Sequence, residues 1–384
     1  MADATADAQA NAQANAQANA EVPPVPPGKF MVDPYLDWAR NEGVPIHEDF
    51  GLDLLAVETR PWPRFGVNGA IVHVKGRGDA MSVFLLEIPP GGKTAPQKHI
   101  FEAAFCVLAG HGGALVERYS GERHQFEWGV NSVFAPPLNT RYQLFNGSGR
   151  EPVRLAVSCN LPAVLNLFHN ESFVFDNPAT FPEREGVPAH FAGEGDFIPV
   201  RPGKHMWETN FLPDAASFKL HDWSARGKGA SHIQLILADG VLHSHISEMP
   251  VGTYKKAHRH SPDVHIYILS GEGYSLLWHE GDQDFRRVDW RHGWVFAPPD
   301  MMFHQHFNAG VEPVRYIAFT QGSVRYPMTE HMRRVYAKVD IDVKKGGNQI
   351  EYQDQDPRVH AMYVKELAKK GLAVKMEKFA PVSA

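Results

Sequence analysis

The chain carries two copies of one pattern, and this internal repeat constrains the fold more than any other feature of the sequence. Residues 96–146 align with residues 257–308 almost without gaps, and Phe134–Pro137 matches Phe296–Pro299, both of them Phe-Ala-Pro-Pro. The offset stays at 161 or 162 residues, as 260 minus 99 and 304 minus 142 show. A repeat of this length within 384 residues predicts two domains that share one fold.

The two copies differ at positions suited to metal binding. The second copy has His258, His260 and His304, whereas the first has Gln97 and Tyr142 at two of the three equivalent positions. Imidazole nitrogens are common ligands of transition metals, while a neutral amide and a phenol are poor ones. We therefore expect metal chemistry in the second copy and a structural role for the first.

The composition favours short strands over long helices. The chain contains 33 glycines and 29 prolines, and short runs rich in Val, Phe and Leu begin near Val67 and return from Ile233 to Phe319. A closed barrel of such strands removes exposed edges and leaves a narrow interior where side chains converge. The sequence therefore predicts an all-β protein with two barrels in tandem, over residues 29–175 and 231–327.

Residues outside the two barrels are predicted to form a tail, a connector and an extension. Residues 1–28 are low-complexity and are expected to be disordered, and residues 176–230 are expected to connect the barrels. A short helix over 33–42 and a second one over 358–370, within the C-terminal extension 328–384, follow from their capping residues and flanking prolines.

Charge and cysteine content limit the expected binding partners and the expected cellular compartment. The net charge is −6 and there is no basic run, so nucleic acid is not an expected partner. No apolar run reaches the ~18 residues that cross a bilayer, so no membrane partner is expected either. Cys106 and Cys159 lie in apolar, strand-like segments, which is typical of reduced thiols in a cytoplasmic protein. We expect a homo-oligomer.

The histidines of the second copy lie within two spaced motifs. His258 and His260 alternate along a strand and so share a face, while His304 begins another strand. The flanking residues that complete the two motifs are Gly252, Gly271, Gly293, Pro299 and Asn308. At these spacings residues 80–325 resemble a bicupin, a protein of two cupin barrels, and the resemblance implies that His258, His260 and His304 are metal ligands.

Two positions depart from the cupin pattern: Met301 replaces a glycine of the second motif, and the usual glutamate of the first motif is missing. The resemblance places a glutamate ligand where this chain has Val264, and valine cannot bind a metal. Within the cupins, the sequence His258-Arg259-His260 and the pair His304 and His306 resemble gentisate dioxygenase and related ring-cleaving enzymes. In those enzymes the metal usually lies in the first cupin, whereas here the histidines lie in the second.

Three neutral imidazoles leave about three open positions on an ion, which suits Fe(II) with a bidentate substrate and O₂; Mn, Ni and Zn are the alternative ions. His306 shares the parity of His304, so it is a candidate catalytic acid or base, or else a histidine at the barrel mouth. His265 is either a substitute ligand or a residue of the outer face. Because Ala103 stands at the glutamate position of the first copy, that barrel is predicted to be metal-free.

Three classes of function follow from these residues. The leading interpretation is an Fe(II)-dependent dioxygenase that cleaves a C–C bond of a small aromatic or enolisable substrate, such as a hydroxylated aromatic acid. The second is a non-oxidative metal enzyme, namely a decarboxylase, isomerase or lyase, in which the ion is a Lewis acid. The third is a non-catalytic bicupin binding protein.

Overall fold

The structure is a computed structural model that describes residues 32–76, 80–201, 204–260 and 264–377. The low-complexity tail at residues 1–28 lies outside the described residues. None of the helices in the described ranges has the length and apolar character needed to span a bilayer.

Short helices flank and connect the strands. The α-helices are α1 Pro34–Asn41, α2 Leu161–Phe168, α3 Glu171–Phe175, α4 Pro188–Phe191, α5 Glu330–Lys338 and α6 Pro357–Ala368, with 3₁₀ turns at Pro182–Arg184, Val343–Lys345 and Tyr352–Asp354. Asp33 caps α1 by accepting from the amide of Leu36, and Asp356 caps α6 by accepting from that of Arg358. Both helices predicted from these caps are confirmed.

The strands are β1 Ile46–Asp49, β2 Gly51–Asp53, β3 Arg60–Trp62, β4 Val67–Val74, β5 Ser82–Ile88, β6 Ala103–Ala109, β7 Gly112–Glu117, β8 Arg123–Trp128, β9 Val133–Phe134, β10 Arg141–Asn146, β11 Val153–Cys159, β12 Asp196–Arg201, β13 Lys204–Thr209, β14 Phe211–Leu212, β15 His221–Asp222, β16 Ser231–Leu237, β17 Leu242–Met249, β18 Val264–Ser270, β19 Glu272–Trp278, β20 Arg286–Arg291, β21 Trp294–Phe296, β22 Phe303–Asn308 and β23 Val314–Gln321.

Each half folds into a barrel made of one large and one small sheet. In the first, the sheet β1-β4-β5-β11-β6-β9-β14, with β3 beside β4, faces the sheet β10-β7-β8. In the second, the sheet β12-β13-β16-β17-β23-β18-β21-β2, with β15 beside β16, faces the sheet β20-β19-β22. The predicted all-β fold with two barrels in tandem is confirmed, and the helices in the described residues are few.

The two barrels exchange a strand. The N-terminal strand β2 pairs with β21 of the second barrel, with Leu52 opposite Val295. In return, β14 pairs with β9 of the first barrel, with Phe211 opposite Phe134. The chain between the two repeats thus contributes β14 to the large sheet of the first barrel and β12 and β13 to that of the second.

Strand alternation divides the apolar residues between the barrel interiors and the interface between the barrels. In β5, Phe84 and Leu86 face the interior of the first barrel, whereas Val83 and Leu85 join a cluster shared with the second. The backbones also approach closely at this interface, since a Cβ on Gly76 would lie 1.8 Å from the carbonyl oxygen of Ala297. The large sheets thus pack face to face.

The arginines that the repeat keeps at equivalent positions in both copies hold loops in place. Arg154 pairs with Glu87 at 2.7 Å and donates to the carbonyls of residues 54 and 57. Arg315 pairs with Glu248 at 2.6 Å and donates to the carbonyls of residues 215 and 218. Arg154 and Arg315 occupy equivalent positions in the two copies, and their contacts give both a structural role.

Candidate metal centre and its cavity

The histidines of the second barrel are brought together by an isolated bridge between two segments. The amide of His258 donates to the carbonyl of His304 at 3.0 Å, and the amide of His304 donates back at 2.8 Å. The equivalent residues of the first barrel, Gln97 and Tyr142, form the same pair of backbone bonds at 2.8 and 2.9 Å. The backbone of the site is therefore common to both barrels, and only the side chains differ.

Backbone carbonyls fix the orientation of two rings. Nδ1 of His258 lies 3.4 Å from the carbonyl of Lys256, and Nδ1 of His304 lies 3.1 Å from that of Met302. A proton on Nδ1 that is shared with a carbonyl leaves the lone pair of Nε2 available. The two Nε2 atoms face one another at 3.0 Å.

The donor set fits a transition-metal ion. The nitrogens of His258, His304 and His306 all lie within 4.8 Å of one another, which forms a three-histidine cluster. An ion about 2.1 Å from two nitrogens at a right angle would separate those nitrogens by about 3.0 Å. The distance between the facing Nε2 atoms matches this value.

His306 contributes to the cluster from β22. Its Nδ1 lies 2.8 Å from Oγ of Ser275, which accepts a hydrogen bond from Nε1 of Trp290. Nε2 is thus the nitrogen of His306 left for the cluster. The sequence made His306 a candidate acid or base, or else a histidine at the barrel mouth, whereas the geometry groups it with His258 and His304.

His260 lies beside the cluster. Its ring centre is 4.6 Å from that of His304 and 5.5 Å from that of His258, and its side chain lines the adjoining cavity. The three-histidine cluster is formed without His260, so its assignment as a ligand stays a prediction.

Burial keeps the cluster in its metal-binding state. Desolvation lowers the pKa of His258, His304 and His306 well below their ordinary range, and the charge of Arg226 lowers each of them further. The imidazoles are therefore neutral, which is the form that binds a metal. Val264, which stands where the cupin pattern has a glutamate, is buried and lines the cavity.

His265 lies on the opposite face of β18. It is fully buried, and its Nδ1 is 3.2 Å from Oγ of Ser158 in the first barrel. Ser158 also bonds the hydroxyl of Tyr267 at 2.7 Å. Of the two interpretations left open by the sequence, the geometry supports the outer face rather than a substitute ligand.

A cavity of about 100 Å³ adjoins the histidine cluster. This volume exceeds the ~10–15 Å³ that a single water needs. The cavity is lined by Lys204, Trp223, Arg226, His232, Gln234, His243, His245, His258, His260, Val264, Tyr316, Thr320, Gln321 and Val339. It therefore draws on the connector, the second barrel and the C-terminal extension.

Sequence reasoning missed most of this lining. A comparison of equivalent strand positions in the two copies could have identified these lining residues. For example, Phe84 pairs with Val157 in the first barrel, and His245 pairs with Ala318 at the same place in the second. The copies therefore place phenylalanine and histidine at the same interior position. Comparing the copies strand by strand, and not only at the motifs, would have marked these polar replacements.

The equivalent site of the first barrel is closed by its own side chains. Nδ1 of His99 lies 2.7 Å from the carbonyl of Phe101, and its Nε2 lies 3.0 Å from the hydroxyl of Tyr142. The ring of Phe101 stacks on His99 at 3.7 Å. Both ring nitrogens are thus engaged, which supports the prediction that this barrel binds no metal.

Comparisons with known proteins found similarity over parts of the chain. The family model described as "Auxin binding protein" matches residues 60–181. Auxin-binding protein 4 of Zea mays is 27% identical over 134 residues, which cover 33% of this chain. The chain spans 61% of the length of that relative.

Solved structures similar to the chain include two oxalate decarboxylases. A variant of the Bacillus subtilis protein is 12% identical, covers 71% of this chain and 77% of its own, and gives a TM-score of 0.47. The formate complex of the Lactobacillus farciminis protein is also 12% identical, covers 84% and 96%, and gives a TM-score of 0.48.

Fold and site together define the class of the molecule. It has two β-barrels in tandem, and the second barrel holds a buried cluster of neutral histidines next to a cavity. Such a cluster could hold a metal ion, while the first barrel supplies the packing face.

Proposed function

We propose that the protein is a metal-dependent enzyme that catalyses a non-oxidative reaction on a small molecule, such as a decarboxylation, an isomerisation or an elimination. The observation that carries the proposal is a hydrogen-bonded tyrosine and lysine beside the histidine cluster. Nζ of Lys255 donates to the hydroxyl oxygen of Tyr316 at 2.8 Å, and the Tyr316 ring lies 5.6 Å from that of His306.

The histidine cluster would hold the ion. When bound, the ion supplies Lewis-acid chemistry by polarising an oxygen of the substrate. The neutral imidazoles add no charge, so the ion keeps its full positive charge for the substrate. Mn, Fe, Ni and Zn all accept imidazole ligands, and we propose Fe(II) or Mn(II) for a site with open positions.

Tyr316 is the proposed proton donor. Burial raises its pKa to about 12, so the hydroxyl is protonated at neutral pH. Tyr316 lines the cavity, where its hydroxyl would donate a proton to an oxygen or carbon of the bound substrate. Lys255, which is fully buried, would stabilise the phenolate through the same hydrogen bond.

A second candidate is the Fe(II)-dependent dioxygenase that cleaves a hydroxylated aromatic acid or an enolisable substrate. The observation that favours it is the all-imidazole donor set, because a valine lines the cavity at the position of the missing carboxylate. Such a set leaves room at the ion for a bidentate anionic substrate and O₂. The pair of Tyr316 and Lys255 is not needed for this reaction.

Oxygen dependence separates the two candidates. Protein loaded with Fe(II) or Mn(II) is assayed against a panel of small organic acids, with and without O₂, while product and O₂ are measured. Turnover under anaerobic conditions that Tyr316→Phe lowers at least 100-fold would support the non-oxidative reaction. Consumption of one O₂ per product, with Tyr316→Phe active, would support the dioxygenase instead. A loaded protein without turnover would contradict both.

A further inference from the structure

A buried arginine in the cavity has donors without an acceptor among the described residues. Arg226 is 1% exposed, and its Nη2 donates to Oδ1 of Asp340 at 2.8 Å and to the carbonyl of Val339 at 3.2 Å. Its Nε and Nη1 have no hydrogen-bond partner among the described residues. Leaving such donors unpaired is costly in a buried site, so the arrangement favours a ligand that accepts from them.

The surroundings of Arg226 carry more positive than negative charge. Lys204, Arg226 and Lys255 lie 4.0, 5.0 and 5.2 Å from the ring centre of Trp223. One carboxylate, that of Asp340, pairs with both Lys204 at 3.2 Å and Arg226 at 2.8 Å. Burial and the neighbouring cations lower the pKa of Lys255, so among the described residues the carboxylate of Asp340 faces two cations, Lys204 and Arg226, which favours binding of a second anion.

A buried histidine of the cavity lining also lacks hydrogen-bond partners among the described residues. His232 is 1% exposed and lines the cavity, and neither of its ring nitrogens has a hydrogen-bond partner in the described residues. Its ring stacks near Trp223 at 4.2 Å. His232 therefore offers a further polar contact to a ligand held at Arg226.

We infer that the cavity takes a small organic acid and that Arg226 anchors a carboxylate of this acid. The inference deepens the proposed function, on which it rests for the role of the ion: a second group of the acid would reach the histidine cluster. Carboxylate is the fitting anion because guanidinium groups pair well with it, and because Val264 and Val339 offer no side-chain donors to the extra oxygens of a phosphate.

The C-terminal extension takes part in this site through Asp340. Its carboxylate occupies one nitrogen of Arg226 and shares Lys204, so it competes with a bound acid for the same cations. Removing the charge of Asp340 should therefore strengthen binding of an added carboxylate. If Arg226 and Asp340 were only a structural ion pair, removing either partner should weaken the protein and its ligand binding alike.

Binding to the metal-free protein tests the inference apart from catalysis. Malonate and its uncharged analogue malonamide are titrated calorimetrically into full-length protein stripped of metal. We expect malonate to bind and malonamide not to bind, Arg226→Gln to weaken malonate binding at least 10-fold, and Asp340→Asn to tighten it about 3-fold or more. Arg291→Gln, whose exposed side chain pairs with Asp53, is the control and should bind as the parent does.

Several results would overturn the anchoring role of Arg226. These are equal binding of malonate and malonamide, unchanged binding in Arg226→Gln, weaker binding in Asp340→Asn, or stronger binding of inorganic phosphate than of malonate. If Arg226→Gln does not fold, the direction of the Asp340→Asn effect decides. None of these results would alter anaerobic turnover by the metal-loaded protein, so the proposed function can stand or fall separately.

Discussion

The hydroxyl of Tyr142 lies 3.0 Å from Nε2 of His99, and these two residues occupy the positions that His304 and His260 occupy in the second barrel. A phenol in place of an imidazole thus uses the lone pair that an ion would need. The two barrels therefore share the backbone arrangement of the site and differ in which side chains bond one another.

The first prediction is that the protein binds about one metal ion per chain, in the second barrel. His304→Ala removes one of three clustered nitrogens and should lower metal content at least 10-fold without unfolding the protein. His99→Ala is the matched control and should leave metal content unchanged. Elemental analysis of the purified variants measures both, and two ions per chain would contradict the prediction.

The second prediction concerns acid stability of the metal-free protein. Burial lowers the pKa of His99 and of His243 to about 4, against about 6.5 in the unfolded chain. Between these values the unfolded state binds protons that the folded state does not, so the free energy of unfolding falls as the pH drops from 6.5 toward 4. Each group contributes at most ~1.4 kcal/mol per pH unit.

Urea denaturation at pH 7.5, 6 and 5 measures this slope. His99→Gln removes one titrating group, so its free energy of unfolding should fall less steeply with acid than that of the parent. Equal slopes for the variant and the parent would show that His99 is not held neutral by the fold.

The third prediction compares neighbours on β18. Val264→Glu places a carboxylate in the cavity, so metal affinity should stay the same or rise while turnover falls, because an open position on the ion is filled. His265→Ala removes a contact between the barrels and should destabilise the protein by about 1–3 kcal/mol with metal content unchanged. Metal loss in His265→Ala, with Val264→Glu unaffected, would reverse the assignment.

The fourth prediction concerns a carboxylate of the first barrel that bonds the second. Oε2 of Glu102 accepts from the amides of Val241 and Leu242 at 2.8 and 2.9 Å. Glu102→Ala leaves both amides without an acceptor and should lower the free energy of unfolding by about 3 kcal/mol. Glu122→Ala, on an exposed turn, is the control. Thermal unfolding of both proteins provides the measurement, and equal stabilities would exclude Glu102 as a link.

The repeat and the histidine spacing predicted two barrels and the position of the cluster, because strand alternation decides which side chains share a face. The same alternation offered the outer face as one of two positions for His265, and the structure supports that position. Strand alternation could not find Arg226, Lys204 or Asp340, since these residues reach the cavity from segments without a periodic pattern. Their convergence depends on how the connector and the extension pack, which spacing along the chain does not determine.

The exchanged strands have a consequence for thermodynamic linkage between the halves. Since β2 completes a sheet of the second barrel and β14 a sheet of the first, neither half can unfold without removing a strand from the other. An ion that binds only the folded second barrel therefore also stabilises the folded state of the first barrel by mass action, although it makes no contact with that barrel. The half that lacks the metal ligands would share fully in the stabilisation that the metal brings.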